Sequence, residues 1–125
     1  MTDLTILFGI KELLERNIEP INYSQYTVEL GYFDEGDNDI YAENDKGCLI
    51  GEAFNVAPSF FQVKKAKSLK KMYQQRNGNK KILLIYNVDA VKDSYSPKMN
   101  SGVFHLKVDL NYYLGKNGFY GWLWI

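Results

Sequence analysis

Several residue types that serve common chemistries are scarce in this chain of 125 residues. Cys48 is the one cysteine and His105 the one histidine, so no intrachain disulfide can form and a Cys/His zinc site is not expected. No apolar run approaches the roughly 18 residues of a membrane-spanning helix. Residues 1–9 lack the basic region and cleavage site of a signal peptide. These absences predict a soluble cytoplasmic protein in a reducing compartment.

Several functional motifs are absent as well. The sequence has no glycine-rich phosphate loop, no Ser/His/Asp set and no dinucleotide-binding fingerprint. It also lacks zinc-finger spacing and the aromatic-rich basic motif of RNA-recognition domains. What the chain does have is 46% hydrophobic and 15% aromatic residues, enough to bury a core in a single domain.

Acidic residues are missing between Glu52 and Asp89, whereas eight lysines and arginines fall within residues 64–81. Residues 1–52 hold 12 acidic and 3 basic residues, and residues 53–125 hold 3 acidic and 12 basic residues. The first part therefore carries −9 and the second +9. Either the two parts attract each other, or a basic face binds a polyanion beside an acidic, metal-binding pocket.

The apolar periodicity predicts one α/β (α+β) domain with a mixed β-sheet. Helices are predicted over residues 3–17 and 59–76, and strands over residues 26–33, 39–43, 48–56, 80–88 and 103–109, with further C-terminal strands. The first helix is expected to bury Leu4, Leu7, Phe8, Lys11 and Leu14. The second, capped by Ser59, is expected to bury Val63, Ala66, Leu69, Met72 and Tyr73. The apolar run at 80–88 is typical of a strand buried on both faces, commonly a parallel one.

Two acidic residues lie on the predicted hairpin 39–56. With a two-residue loop, Asn44 pairs with Gly47 and Asp39 faces Glu52. Directly opposed carboxylates repel, a cost that a divalent cation between them would offset. A three-residue loop would instead place the two acids on opposite faces. The alternative interpretation is that Asp39 and Glu52 are two exposed charges near a strand end. The apolar neighbours of Glu52 in the sequence do not favour it.

The stretch from Asn38 to Val56 resembles the PD-(D/E)XK restriction-endonuclease-like nuclease superfamily. The resemblance extends to the predicted order of elements over residues 3–88, which is a helix, three strands, a helix and a strand. The resemblance implies that Asp39 and Glu52 hold one or two Mg²⁺ ions and that Glu12 or Glu15 adds a further ligand. It also implies metal-dependent hydrolysis of phosphodiester bonds in DNA.

The sequence departs from the superfamily pattern at two positions. Phe54 stands where the superfamily has a lysine, and Asn38 stands where it has a proline. Lys64 or Lys65, with Gln62 nearby, is the expected replacement for the missing lysine as a catalytic residue. Loss of catalysis in a degenerate relative remains the alternative.

The basic residues and the C-terminal aromatic residues suggest partners. Contacts with DNA phosphates are expected from Lys67, Lys70, Lys71, Arg76 and Lys80, unless this is an ordinary solvated helix face. The aromatic residues of 112–124 form either a final hairpin on the core or a surface for a protein partner or homodimer. A non-catalytic protein, such as an immunity-type inhibitor or a nuclease subunit, is therefore the second hypothesis. His105 is expected to be exposed and not catalytic.

Overall fold

A computed structural model of the chain describes residues 2–30, 38–45, 47–75, 80–92, 95 and 102–110. The elements follow in the order α1 (Thr2–Arg16), β1 (Thr27–Val28), β2 (Ile40–Asn44), β3 (Gly47–Phe54), α2 (Pro58–Tyr73), β4 (Lys80–Asn87) and β5 (Val103–Val108), with a 3-10 turn at Val88–Ala90. The predicted order of helices and strands is therefore confirmed as far as β5. Predictions for residues 31–33, for Arg76 and for residues 112–125 lie outside the described residues.

The described strands form one mixed sheet in the order β1-β2-β3-β4-β5. β2 is antiparallel to both of its neighbours, β1 and β3, whereas β3, β4 and β5 run parallel to one another. The prediction that the 80–88 strand is parallel to its neighbour is confirmed. In the described part of the chain, neither helix combines the length and the apolar character that a membrane crossing requires.

The hairpin of β2 and β3 has the two-residue loop that the sequence predicts. Asn44 pairs with Gly47, and the register continues to Ile40 opposite Gly51. Gly47 has a φ of 142°, a conformation that side chains other than hydrogen rarely tolerate. The alternative with a three-residue loop is therefore wrong.

Each face of the sheet is covered by one helix. One core joins Ile6, Phe8 and Leu13 of α1 to side chains of β2, β3, β4 and β5, including Ile40, Leu49, Leu83 and Leu106. The other joins Phe61 and Met72 of α2 to the alternate residues of β3 and β4, including Ile50, Phe54, Leu84 and Tyr86. Because side chains alternate along a strand, odd and even positions of β3 belong to different cores.

The buried side of α1 differs from the predicted one. Leu7 and Leu14 are 46% and 55% exposed, whereas Ile6 and Leu13 are buried. The helix ends at Arg16 because Asn17 adopts a left-handed conformation with a φ of 51°. The prediction is wrong because the seven apolar residues among the 15 of this helix are spread around its circumference, so that spacing alone does not choose the face that meets the sheet.

The buried side of α2 also differs. Val63 and Tyr73 are 71% and 55% exposed, and the buried residues are Phe61, Ser68 and Met72. The helix begins at Pro58 after Ala57, which makes no side-chain cap, so the prediction of Ser59 as the N-cap is wrong. Proline fits the first helical position because the amide it lacks has no partner there. The position of the first residue does not explain the different buried side. The rotation of α2 about its own axis is set by packing against Phe54 and Tyr86.

Candidate functional site

The structure brings Asp39 and Glu52 together at the end of the β2–β3 hairpin. The Asp39 backbone N–H donates to Oε2 of Glu52 at 3.0 Å. The Ala53 backbone N–H donates to Oδ2 of Asp39 at 2.9 Å. Since Ile40 and Ala53 face the α1 side, their neighbours Asp39 and Glu52 project to the α2 side. The predicted apposition of the two acids is therefore confirmed.

Glu52 is held in a buried position in which ionisation is costly. It is 8% exposed, and it lies between Gly51 and Ala53 in a strand of buried residues. Burial raises the pKa of Glu52, and the neighbouring charge of Asp39 raises the pKa further. The hydrogen bond from the Asp39 amide and the charge of Lys71 act in the opposite direction. A cation near both carboxylates would relieve their repulsion.

Lys71 contacts Glu52 of the acidic pair. Its Nζ donates to Oε1 of Glu52 at 3.2 Å, in an ion pair whose side chains are 37% (Lys71) and 11% (Glu52) exposed. This arrangement differs from the predicted one, in which Lys64 or Lys65 contacts the acidic pair. Lys64 lies two helical turns, ~10 Å, before Lys71 on the same side of α2. Lys65 instead contacts the Tyr95 hydroxyl at 3.4 Å.

An amide pair connects the site to the end of α2. Asn38 Nδ2 donates to Oε1 of Gln75 at 2.9 Å, and Gln75 Nε2 donates to Oδ1 of Asn38 at 2.8 Å. These bonds join the residue before Asp39 to the residues after α2, four positions beyond Lys71. The sequence contains no local signal for this pair, because the two residues are 37 positions apart.

Glu12 does not belong to this group. It lies on α1, which packs on the opposite face of the sheet, and it pairs with Arg16 at 3.2 Å. Glu15, the alternative, pairs with Lys11 at 2.9 Å on the same helix. Within the described ranges, no three His, Cys, Asp or Glu residues are grouped to hold a metal ion. Asp39 and Glu52 are thus the two carboxylates of this group that could hold a cation, and two carboxylates would be enough only for an ion that keeps several water ligands, as Mg²⁺ does.

The other residues predicted to bind DNA have different environments. Lys67 and Lys70 are exposed on α2. Lys80 is turned toward the end of that helix, where its Nζ donates to the carbonyl oxygens of Met72 at 2.8 Å, of Tyr73 at 3.5 Å and of Gln75. Lys80 is thus engaged in capping α2.

His105 is half-buried, contrary to the prediction of an exposed residue. Its Nδ1 lies 2.9 Å from the Tyr86 hydroxyl, and the two rings meet edge to face with centroids 5.7 Å apart. The alternation along β5 correctly places His105 on the face opposite Leu106, but that face is covered in its turn by side chains of the second core.

Three comparisons with known proteins add nothing to this geometry. No family model, no curated protein and no solved structure matches the chain. The features on which a function can be proposed are therefore the opposed Asp39 and Glu52, the contact from Lys71 and the Asn38–Gln75 amide pair.

Proposed function

We propose that this chain is a divalent-metal-dependent nuclease, of restriction-endonuclease-like fold, that hydrolyses phosphodiester bonds in DNA. The observation that supports this most directly is the contact of Lys71 with a buried Glu52 that also faces Asp39. Two carboxylates and a lysine at one point match the needs of this reaction, a metal position and a cation for the phosphate. Lys71 would replace the strand lysine for which Phe54 stands in this sequence.

Asp39 and Glu52 would hold Mg²⁺ through Oδ and Oε atoms of their carboxylates. The bound metal would supply Lewis acidity and a deprotonated water near neutral pH. Lys71 is exposed enough to reach a substrate from its position beside Glu52, so its ammonium group would bind a phosphate oxygen as negative charge develops. The Asn38–Gln75 hydrogen bonds would hold the end of α2, and with it Lys71, against the residues that lead into β2, where Asp39 lies.

A cleavage assay with matched variants tests this function. Supercoiled plasmid, linear duplex and single-stranded DNA are incubated with Mg²⁺ or Mn²⁺ and wild type, Glu52→Gln, Lys71→Met or Glu43→Gln. Glu43→Gln is the control, since it removes the same charge from an exposed position on β2. Loss of a residue that hydrogen-bonds to a metal ligand typically lowers activity ~10–100-fold, and loss of the ligand itself should lower it further. Glu52→Gln and Lys71→Met should therefore lose cleavage, while Glu43→Gln retains it.

Metal binding is measured separately, by electron paramagnetic resonance of Mn²⁺ with wild type and an Asp39→Asn/Glu52→Gln variant. Binding by the wild type and none by the variant would support the metal site. Mn²⁺ binding that survives both substitutions would contradict it. A wild type that neither binds the metal nor cleaves any of the DNA substrates would favour the non-catalytic, protein-binding hypothesis.

A further inference from the structure

A second group of polar side chains lies on the other flank of α2, away from the acidic pair. It consists of Lys65 on α2, Tyr86 on β4, Tyr95, and His105 and Lys107 on β5, and we call it the lysine–tyrosine cluster. All five residues lie on or beside the sheet face that α2 covers, at the β4–β5 side. Nothing in the proposed nuclease chemistry uses them.

Tyr95 brings the two lysines of this cluster together. Lys65 Nζ donates to the Tyr95 hydroxyl at 3.4 Å, and Lys107 Nζ donates to the Tyr95 carbonyl oxygen at 3.3 Å. Both ammonium groups also lie over the same ring, at 5.9 Å and 5.8 Å from its centroid. Two positive charges thus lie beside one residue, and like charges repel each other.

Among the described residues, no acidic side chain forms an ion pair with either of these lysines. The ion pairs found there involve Lys11, Arg16 and Lys71, and none involves Lys65 or Lys107. The positive potential acts on His105, because burial and the charges of Lys65 and Lys107 lower the pKa of this histidine to about 4. The imidazole is therefore neutral at physiological pH.

Tyr86 orients the histidine. Burial keeps the phenol of Tyr86 protonated by raising its pKa, so the hydroxyl is a donor at neutral pH. When this hydroxyl donates to Nδ1 of His105, its partner at 2.9 Å, the imidazole hydrogen lies on Nε2. The cluster then offers three kinds of donor, namely the two ammonium groups, the Tyr95 hydroxyl and the Nε2–H group.

We propose that the lysine–tyrosine cluster is a binding site for a phosphate group, with Lys65 and Lys107 as its two cationic ligands. A phosphate group carries close to two negative charges and three acceptor oxygens, which match two ammonium groups and additional neutral donors. A carboxylate supplies one charge and leaves the repulsion between the lysines partly uncompensated. This inference does not depend on the nuclease function.

The phosphate site is distinct from the acidic pair. Glu52 lies opposite Leu84, and Leu84 lies opposite His105, so Glu52 and His105 are two strand spacings, ~10 Å, apart. α2 packs on Leu84 through Phe61 and Met72 and so lies between the two sites.

The only histidine of the chain makes this proposal directly measurable. The pKa of the His105 imidazole is followed by NMR in wild type, with and without pyrophosphate at constant ionic strength. An anion bound beside the ring favours the imidazolium form, so the pKa should rise by about one unit, which corresponds to ~tenfold tighter binding to that form. The Lys65→Gln/Lys107→Gln variant should show a raised pKa without ligand and no further rise with pyrophosphate.

Controls separate this site from general charge effects. Lys11→Gln/Arg16→Gln removes the same charge from α1 on the opposite face, and it should titrate and respond as wild type does. Equal responses to acetate and pyrophosphate, or an unchanged response in Lys65→Gln/Lys107→Gln, would overturn the proposal. An unchanged ligand-free pKa in that variant would also overturn it, since the lysines would then not lie beside His105.

The same measurement distinguishes two sources of the phosphate group. One arm uses pyrophosphate, and the other uses a single-stranded oligonucleotide without terminal phosphates. A response to pyrophosphate alone supports a site for a small phosphorylated molecule, and a response to the oligonucleotide supports a site for the nucleic-acid backbone. A response to neither contradicts the proposal, whatever the outcome of the cleavage assay.

Discussion

At the scale of single residues, Glu52 combines stabilising and destabilising interactions. It accepts hydrogen bonds from the Asp39 amide and from Lys71, yet its ionised form is buried beside a second carboxylate. A buried ion pair seldom stabilises a fold by much, because desolvation cancels most of the attraction. Such an arrangement is more readily explained by a ligand than by stability.

The raised pKa of Glu52 predicts a specific dependence of stability on pH. The folded chain binds this proton more tightly than the unfolded chain, whose value is about 4.5. The free energy of unfolding should therefore fall as the pH rises from 4.5 through the raised pKa, and then become constant. Glu52→Gln should remove this decrease.

Urea denaturation between about pH 4 and pH 8 measures the effect, without divalent cations. Glu43→Gln serves as the control and should keep the wild-type pH dependence. A difference between wild type and Glu52→Gln that stays constant over this range would contradict the prediction.

At the scale of elements, the two helices are positioned on the sheet by different kinds of contact. α1 approaches β4 closely at Gly9, where an added Cβ atom would lie 2.7 Å from Cδ1 and 2.9 Å from Cγ2 of Ile85. α2 is fixed at its C-terminal end by Lys80 and by the Asn38–Gln75 pair, which also determine where Lys71 lies. Helix position is thus set by a close approach in one case and by polar contacts in the other.

Gly9→Ala is expected to destabilise the protein, although alanine favours helix by ~1 kcal/mol. Ile85 is fully buried and cannot move away, so overpacking should cost ~1–3 kcal/mol and outweigh that gain. In an Ile85→Ala background the same substitution should become stabilising, because the methyl group then enters a cavity. Thermal or urea unfolding of wild type, Gly9→Ala, Ile85→Ala and the double variant gives the coupling free energy between the two positions. Equal effects of Gly9→Ala in both backgrounds would contradict the close approach.

Lys80→Met is expected to lower the free energy of unfolding by ~1–2 kcal/mol, because α2 loses charged donors to its last carbonyl groups. DNA binding should change little, since this ammonium group is engaged with the helix. Lys70→Met, at an exposed position of the same helix, should have the opposite profile, with unchanged stability and weaker DNA binding. A large loss of DNA affinity in a stable Lys80→Met variant would show that Lys80 contacts phosphate.

At the scale of the whole molecule, the two helices differ in charge. α1 carries Asp3, Glu12 and Glu15 together with Lys11 and Arg16, whereas α2 carries five lysines and no acidic residue. Of the two interpretations of the charge asymmetry, mutual attraction of the halves is represented by the Lys71–Glu52 ion pair across the site. The placement of the remaining α2 lysines leaves a basic layer on a molecule whose net charge is zero.

This layer predicts that polyanion binding depends on which face is changed and not on net charge. Lys67→Gln/Lys70→Gln should lower the slope of log affinity against log salt by roughly 1.4–1.8, at ~0.7–0.9 for each phosphate contact. Lys11→Gln/Arg16→Gln on α1 has the same net charge and should leave the slope unchanged. Fluorescence anisotropy with labelled DNA over a range of salt concentrations measures both, and equal slopes for the two variants would contradict the prediction.

The sequence by itself determined the features that depend on neighbouring residues. The Asn44–Gly47 turn and the alternation along β2 and β3 restricted the hairpin to two registers, one of which places Asp39 opposite Glu52, because turn length sets the register of a hairpin. The structure selects that register. The apolar run at 80–88 sufficed to predict a strand covered on both faces.

Only the tertiary structure decided which side chains from distant elements meet. Lys71 rather than Lys64 or Lys65 contacts Glu52, and Lys65 lies instead beside Tyr95 and His105. Periodicity restricts each helix to a few possible buried faces, but its rotation and position come from side-chain packing against the sheet, to which residues far apart in the chain contribute. For the same reason Glu12 is separated from the acidic pair by the sheet, although its residue type suited a metal site.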